Sequence, residues 1–244
     1  MKTVLLAELR KLRLTRSLWA VPVAGAALSV VGALLFVGLL DGQDLADRLS
    51  EHGPLRFGPT NIGLILLVFG IRVFADEVHH HTLASTYIAV PQRRSVLAAK
   101  ALVAAGVAVA FCASVFVLVV PVTLAGAAIR DIPMSADWGA TAGLLARTSL
   151  AMAVTAAMGV ALAAIARNRA VVLVAALAWL ALLEDLVGAL LKVPELLPGA
   201  VVRALVAGNG GGDALGAGPA ALMLLAIGGV AAAVAITRLH DDVA

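Results

Sequence analysis

Long uncharged stretches alternate with short polar ones along this chain, and the apolar stretches have the length of a bilayer crossing. A hydrocarbon core of about 30 Å needs roughly 20 apolar residues in helical form. Six segments meet that need: 18–40; 57–75, interrupted by Arg72; 101–129, overlong and broken by Pro121; 138–166, with Arg147 inside; 170–191, running past Glu184 and Asp185; and 214–237. The pattern predicts an all-α membrane protein, a single transmembrane domain over 1–244 with six spans. An even number of spans puts both termini on the same side.

Two further segments are apolar but differently patterned. In residues 1–17, Leu5, Leu9 and Leu12 share one helical face, while Arg10, Lys11, Arg13 and Arg16 occupy much of the rest. Such a helix lies in the headgroup plane with its basic side toward anionic lipid. The run after it is longer than the apolar region of a signal peptide and no Ala-x-Ala site follows, so it reads as an uncleaved first span. Between 186 and 212 the chain is apolar but broken by Pro194, Pro198 and several glycines. The pieces 186–191 and 198–207 are each too short to span, which predicts a re-entrant or interfacial helix pair beneath the outer surface.

Composition sharpens the class. Of 244 residues, 62% are hydrophobic and 14% charged, and the mean hydropathy is +1.03. Soluble domains sit nearer half apolar and a quarter charged, so a soluble enzyme is excluded. The net charge of +3 is not gathered into a patch, which excludes a nucleic-acid partner. The single cysteine, Cys112, rules out an intramolecular disulfide or a cysteine metal cluster. Lys and Arg divide unevenly between the two sides: eleven on the side of the termini and five on the other, with Arg72 and Arg147 inside spans. The positive-inside rule then places both termini in the cytoplasm of a bacterial inner membrane. Asp41, Asp44, Asp47 and Glu51 make the first outer loop acidic, in keeping with that orientation.

The inner loop from Asp76 to Lys100 is the most informative stretch. It opens with acids, holds a short apolar patch at Leu83, Tyr87, Ile88 and Val90, turns at Pro91 and ends basic with Arg93 and Arg94. A short helix from Thr82 to Val90 lying on the inner face offers a surface to a cytoplasmic partner. His79, His80 and His81 invite a metal reading, but adjacent helical residues point about 100° apart and do not converge on one ion. No His-Glu-x-x-His is present either. Ionisable groups inside spans are functional by default. Arg72 stands one turn before Asp76 and is expected to pair with it. Glu184 lies about 14 residues, roughly 21 Å, from the inner end of its span. Arg147 falls at a similar depth on the adjoining span, so the two are expected to form an intramembrane charge pair. Small residues dominate the spans, with Gly139 and Gly143 spaced as a helix-packing motif. The stretch 208–218 is glycine-rich without a following Lys-Ser or Lys-Thr, and no nucleotide-binding motif or hydrolytic triad occurs anywhere.

Taken in order, these residues resemble the permease subunits of bacterial ATP-binding-cassette exporters of the second type, the drug- and lipid-export class. The resemblance covers nearly the whole chain. Residues 8–17 match the family's amphipathic elbow helix. Glu77-Val-His-His-His81-Thr82 stands where the family has Glu-x-x-x-Gly-Thr, with His81 in place of the glycine. Pro91, Arg93, Arg94 and Lys100 follow as its Pro-x-Arg and later Lys do. Arg167-Asn168, Glu184 after Trp179, and Arg238 before Asp241-Asp242 match one subgroup. The resemblance implies a subunit that catalyses nothing itself and holds no cofactor, ATP and Mg being bound by a partner. It implies two permease copies, identical or paralogous, working with a cytoplasmic ATPase dimer to move a lipophilic drug, antibiotic or lipid outward. Glu77, Thr82, Leu83, Tyr87, Pro91, Arg93 and Arg94 would form the ATPase-coupling region, and membrane lipids the surroundings. An integral-membrane metal-dependent enzyme using the Asp76–His81 cluster, or a non-transporting membrane or immunity protein, are the alternatives. Neither the substrate nor the choice between homodimer and heterodimer is legible here.

Overall fold

A computed structural model describes residues 2–39, 53–80, 82–90, 92–132, 138–166, 168–192, 194–207 and 216–241. Among them all regular structure is helical: α1 (Lys2–Leu14), α2 (Arg16–Leu39), α3 (Gly53–His79), α4 (Leu83–Ala89), α5 (Arg93–Ile129), α6 (Trp138–Ala166), α7 (Arg169–Ala178), α8 (Glu184–Leu191), α9 (Pro198–Ala207) and α10 (Ala217–Asp241). A π-helical segment, Trp179–Leu183, joins α7 to α8, and a 3-10 turn, Pro194–Leu196, precedes α9. Four helices are long and apolar enough to cross a membrane by length and composition: α2 over Leu18–Leu39, α5, α6, and α10 over Ala217–Arg238. The acidic outer loop, Pro91, Arg167, His81 and the glycine-rich stretch 208–215 lie outside the described residues.

Of the other two expected spans, the second lies within a single helix and the fifth is divided. α3 is 27 residues long but carries Arg72, Asp76 and Glu77 in its last turns. The fifth is divided by its π segment into helical pieces of 10 and 8 residues. Pro121 does not break the third apolar run, because α5 continues through it as one helix of 37 residues. A proline leaves a carbonyl in the preceding turn short of its helical donor. The carbonyl so freed is that of Val117, and the turns around Pro121 are held by packing, with Phe116, Val119 and Thr123 buried. At 1.5 Å per residue α5 is about 55 Å long, so it overruns a 30 Å hydrocarbon core.

Helix ends are tied off locally, as the orphan groups of a terminus require. At the bend between α1 and α2 the Thr15 hydroxyl donates to the Lys11 carbonyl at 2.9 Å, and the Trp19 indole N–H donates to the Leu12 carbonyl at 2.9 Å. The Asn168 side chain accepts from the Ala170 and Val171 amides at 3.1 and 3.2 Å and so caps α7. The Arg130 guanidinium donates to the Gly38 carbonyl at the end of α2, 2.9 Å away. Lys192 ends α8 in the left-handed conformation, φ 56°.

The core centres on α3 and α6. Leu66, Phe69, Ile71 and Phe74 of α3 are completely buried, together with Leu144 and Met152 of α6, Leu205 of α9 and Leu224 of α10. α3 and α6 approach so closely at one crossing that their backbones touch through glycine. A Cβ on Gly70 would collide with the Ala156 carbonyl oxygen, and one on Gly159 with the Leu67 carbonyl oxygen. This reciprocal pair does the work that the sequence suggested for Gly139 and Gly143. A Cβ at Gly143 would meet only its own helix's Arg147, so that spacing plays no part in packing among the described residues. By contrast α2 and α10 are only 17% buried along their apolar windows, and large side chains such as Leu28, Leu35 and Leu222 lie on their outer faces.

The crossing makes a direct prediction. Gly70→Val must push backbone apart and should lower stability by about 1–3 kcal/mol, the usual cost of overpacking. Gly143→Val should shift stability by less than about 0.5 kcal/mol. Thermal unfolding of the two variants in detergent distinguishes the sites.

Candidate functional site

The stretch from Glu77 to Arg94 picked out by sequence lies at one end of the bundle, where α1, the end of α3, α4 and the start of α5 meet. Its anchor is Lys100, a completely buried cation on α5. Its ammonium donates to Glu8 Oε2 at 2.7 Å and lies 2.7 Å from Glu77 Oε1. Lys11 on α1 donates to the same two carboxylates, to Glu8 Oε1 at 2.9 Å and to Glu77 Oε1 at 3.0 Å. Two glutamates and two lysines from three helices thus form a charge-balanced cluster in which the exposure falls from Lys11 (43%) to Lys100 (0%). Burial alone pulls the Lys11 pKa down, but the Glu8 and Glu77 carboxylates outweigh it and leave it raised above its ordinary value.

The cluster reaches the short surface helix through Lys11, which also donates to the Thr86 hydroxyl at 3.2 Å. The expected helix from Thr82 to Val90 is present as α4, Leu83–Ala89, flanked by Thr82 and Val90. The Thr82 amide donates to the Glu77 carbonyl at 3.0 Å, closing the turn out of α3. Leu83 packs on the core. Arg93 stacks its guanidinium 5.2 Å above the Tyr87 ring, so Tyr87 and Arg93 are brought together across the turn between α4 and α5. Ile88 points the other way and is 83% exposed.

Beside this cluster Asp76 binds two arginines. Arg72 Nε is 3.4 Å from Asp76 Oδ2, the i, i+4 pair read from sequence, and Arg169 Nη1 is 2.9 Å from Asp76 Oδ1. Arg169 ties the turn between α6 and α7 to the end of α3, a contact no local spacing announces. Both acids of the Asp76–His81 stretch are therefore engaged by cations. His79 and His80 are exposed and meet edge to face, with ring centroids 5.2 Å apart. Among the described residues no group of three or more His, Cys, Asp or Glu is placed to hold a metal ion.

The expected Arg147–Glu184 pair is not what the structure builds. Glu184, buried on α8, accepts the Gly199 amide at 3.2 Å and the Ala200 amide at 2.9 Å, and lies 3.5 Å from Arg203 Nη2. Arg147 makes no ion pair among the described residues. The reason is the chain reversal at Pro194–Pro198, which brings the first turn of α9 over the carboxylate. A helix N-terminus presents unsatisfied amides and a positive dipole end, both of which favour an anion. The carboxylate therefore has a partner 15 residues on in its own chain and not on the neighbouring span. Pro198 starting α9 is the sequence signal that was available, since proline favours the first helical position. Gly199 is the other half of it, because a Cβ there would collide with the Glu184 carboxylate.

No protein-family model matches the chain, and no curated protein matches it either.

Two mutant cycles follow from this geometry. Lys100→Met leaves two buried carboxylates with only the half-exposed Lys11 between them and should cost about 3–5 kcal/mol. Adding Glu8→Gln should recover part of that loss, which thermal unfolding of the single and double variants measures. In the second cycle, Glu184→Ala and Arg203→Ala should be non-additive, whereas Glu184→Ala and Arg147→Ala should add within about 0.5 kcal/mol.

Proposed function

We propose that the chain is the transmembrane permease subunit of an ATP-driven exporter of the ATP-binding-cassette class, moving a lipophilic drug, antibiotic or lipid outward. The observation that carries this reading is the connection of a short surface helix to the bundle through buried charge. α4 is joined to α1 by Lys11 and Thr86, and α1 is joined to α3 and α5 by Lys100. A force on α4 is thereby delivered to the ends of three helices at once. A ligand-driven change requires contacts that differ between two states, and a short helix held by one hydrogen bond from Lys11, one cation–π contact and the packing of Leu83 can supply them.

In this reading α1 is the elbow helix, lying at the cytoplasmic membrane surface, and α4 is the coupling helix. The six spans are α2, α3, α5, α6, the α7–α8 stretch with its π segment, and α10. α8 and α9 form the re-entrant outer pair, and both termini are cytoplasmic. Two copies, or one copy and a paralogue, work with a separate cytoplasmic ATPase dimer that binds ATP and Mg. The excess of Lys and Arg on the side of α1 and α4 supports the orientation, and the exposed Ile88 supports a protein partner at α4.

The structure sharpens the test of partner docking. Leu83 faces the core, so its replacement perturbs folding as well as docking. Ile88→Asp removes an exposed apolar contact without touching the charge cluster. It should leave the permease in the membrane with unchanged thermal stability while releasing the ATPase from pull-downs and abolishing its stimulation. Full retention of the ATPase by Ile88→Asp would overturn the coupling role of α4.

A further inference from the structure

A cavity of about 630 Å³ runs between α3, α6, α7, the π segment and the start of α9. That volume falls within the range of about 300–1,000 Å³ typical of small-molecule sites. Its walls are almost wholly apolar, with Leu67, Met158, Ile165, Val172 and Trp179 among them. Along α6 it extends from Thr155 to Ala166, about 16 Å of helix at 1.5 Å per residue. A long, narrow apolar space of this kind suits an extended hydrocarbon chain. Among the described residues that line it, Arg203 alone carries a charge.

We propose that this cavity holds an acyl chain of an anionic membrane phospholipid, with the lipid phosphate on the Arg203 guanidinium. The charge distribution selects the sign of the headgroup. Glu184, the neighbouring acid, is 4% exposed and accepts two backbone amides, whereas Arg203 is 52% exposed and has one contact to that acid at 3.5 Å. A headgroup arriving at the cavity therefore meets the cation. A guanidinium carries five donors in a planar fork that matches phosphate oxygens, so the single long contact to Glu184 leaves capacity for a second anionic ligand. The source is the bilayer itself, because the walls belong to apolar helices of a membrane protein. The π segment contributes Trp179 and Leu180 to the walls. Single-turn π bulges occur often at functional sites, and this one shapes the cavity directly. The inference is independent of the exporter reading and stands without any ATPase.

Trp179 supplies the probe. With Trp19→Phe and Trp138→Phe as background, Trp179 is the remaining tryptophan, and bromine on a lipid chain inside the cavity quenches its fluorescence. The purified full chain is titrated with micelles containing brominated phosphatidylglycerol or brominated phosphatidylcholine. Quenching by the anionic lipid should need about fivefold less lipid, the factor expected of one Arg contact near a membrane surface. Arg203→Gln should bring the two lipids within about twofold of each other, and Arg203→Lys should retain most of the preference. Ala175→Phe, which fills the cavity, should weaken quenching by both. Equal quenching by the two lipids in the parent protein overturns the proposal, as does an undiminished preference in Arg203→Gln. If Arg203→Gln does not fold, Ala175→Phe decides: a preference for the anionic lipid that survives a filled cavity excludes this site as its origin.

Discussion

A buried ammonium holds one end of this bundle together. Lys100 lies completely buried on a helix more than twice the length of an ordinary one, and a charge in that position is tolerated only if it is neutralised and hydrogen-bonded. Glu8 and Glu77 meet that demand, and to do so α1 and the end of α3 must lie against the start of α5. The position of α1 across the bundle is thus a consequence of one cation's desolvation. Lys11 then balances the second carboxylate charge and carries the connection on to Thr86. The order of these constraints matters, because α4 is a helix of seven residues, too short to be stable in isolation. Its placement comes from the cluster, from the packing of Leu83 and from the stacking of Arg93 on Tyr87.

The other end of the molecule solves a similar problem by a different route. Glu184 is buried without a buried cation. Its charge is met by the amides at the start of α9 and by a more exposed arginine one turn on. Both ends therefore share a logic: a carboxylate within or beside an apolar segment fixes where a short helix docks. Between them the bundle is held by close backbone contact. Without a hydrophobic drive between helices in lipid, tight packing of small residues is what brings spans together, and the Gly70–Gly159 crossing is the closest such contact between α3 and α6. Where α2 and α10 dock, glycine meets side chains and not backbone, Gly126 against Val37 and Gly228 against Val154, and their outer faces keep leucines and valines exposed as a lipid-facing helix does.

The proposed exporter reading rests on the arrangement of charged residues around α1, α3 and α4, and the cavity at Arg203 stands apart from it. The first concerns how movement at α4 would reach the helices. The second concerns what occupies the interior of the bundle when the protein sits in a bilayer. The cavity runs along α6 from Thr155 to Ala166 and along α7 from Val171 to Ala176.

How much of this was legible in the chain depends on whether the relevant interaction is local. Apolar length, the amphipathic face of α1, the turn at Asn168 and the i, i+4 pair of Arg72 with Asp76 all follow from residues within a few positions of one another, so sequence alone determined them. The short helix at Leu83–Ala89 belongs to the same class. Pro121 misled because a proline inside a membrane helix is tolerated where its surroundings hold the flanking turns, as the burial of Phe116, Val119 and Thr123 does here. Lys100 was read only as a trailing base, since nothing in the spacing of Glu8, Glu77 and Lys100 places them together. They are separated by 69 and 23 positions and meet only when three helices pack. Arg147 and Glu184 failed for the complementary reason. Matching their depths assumed that a buried charge seeks the nearest opposite charge, whereas the fold offered Glu184 a helix N-terminus made by a chain reversal just downstream. The Gly70–Gly159 crossing shows the same limit. Spacing can find a pair of glycines on one helix, but which glycines face a neighbour's backbone is settled only when the helices are brought into register. Side-chain length, polarity and period fix the elements, and long-range desolvation and backbone contact decide how they come together.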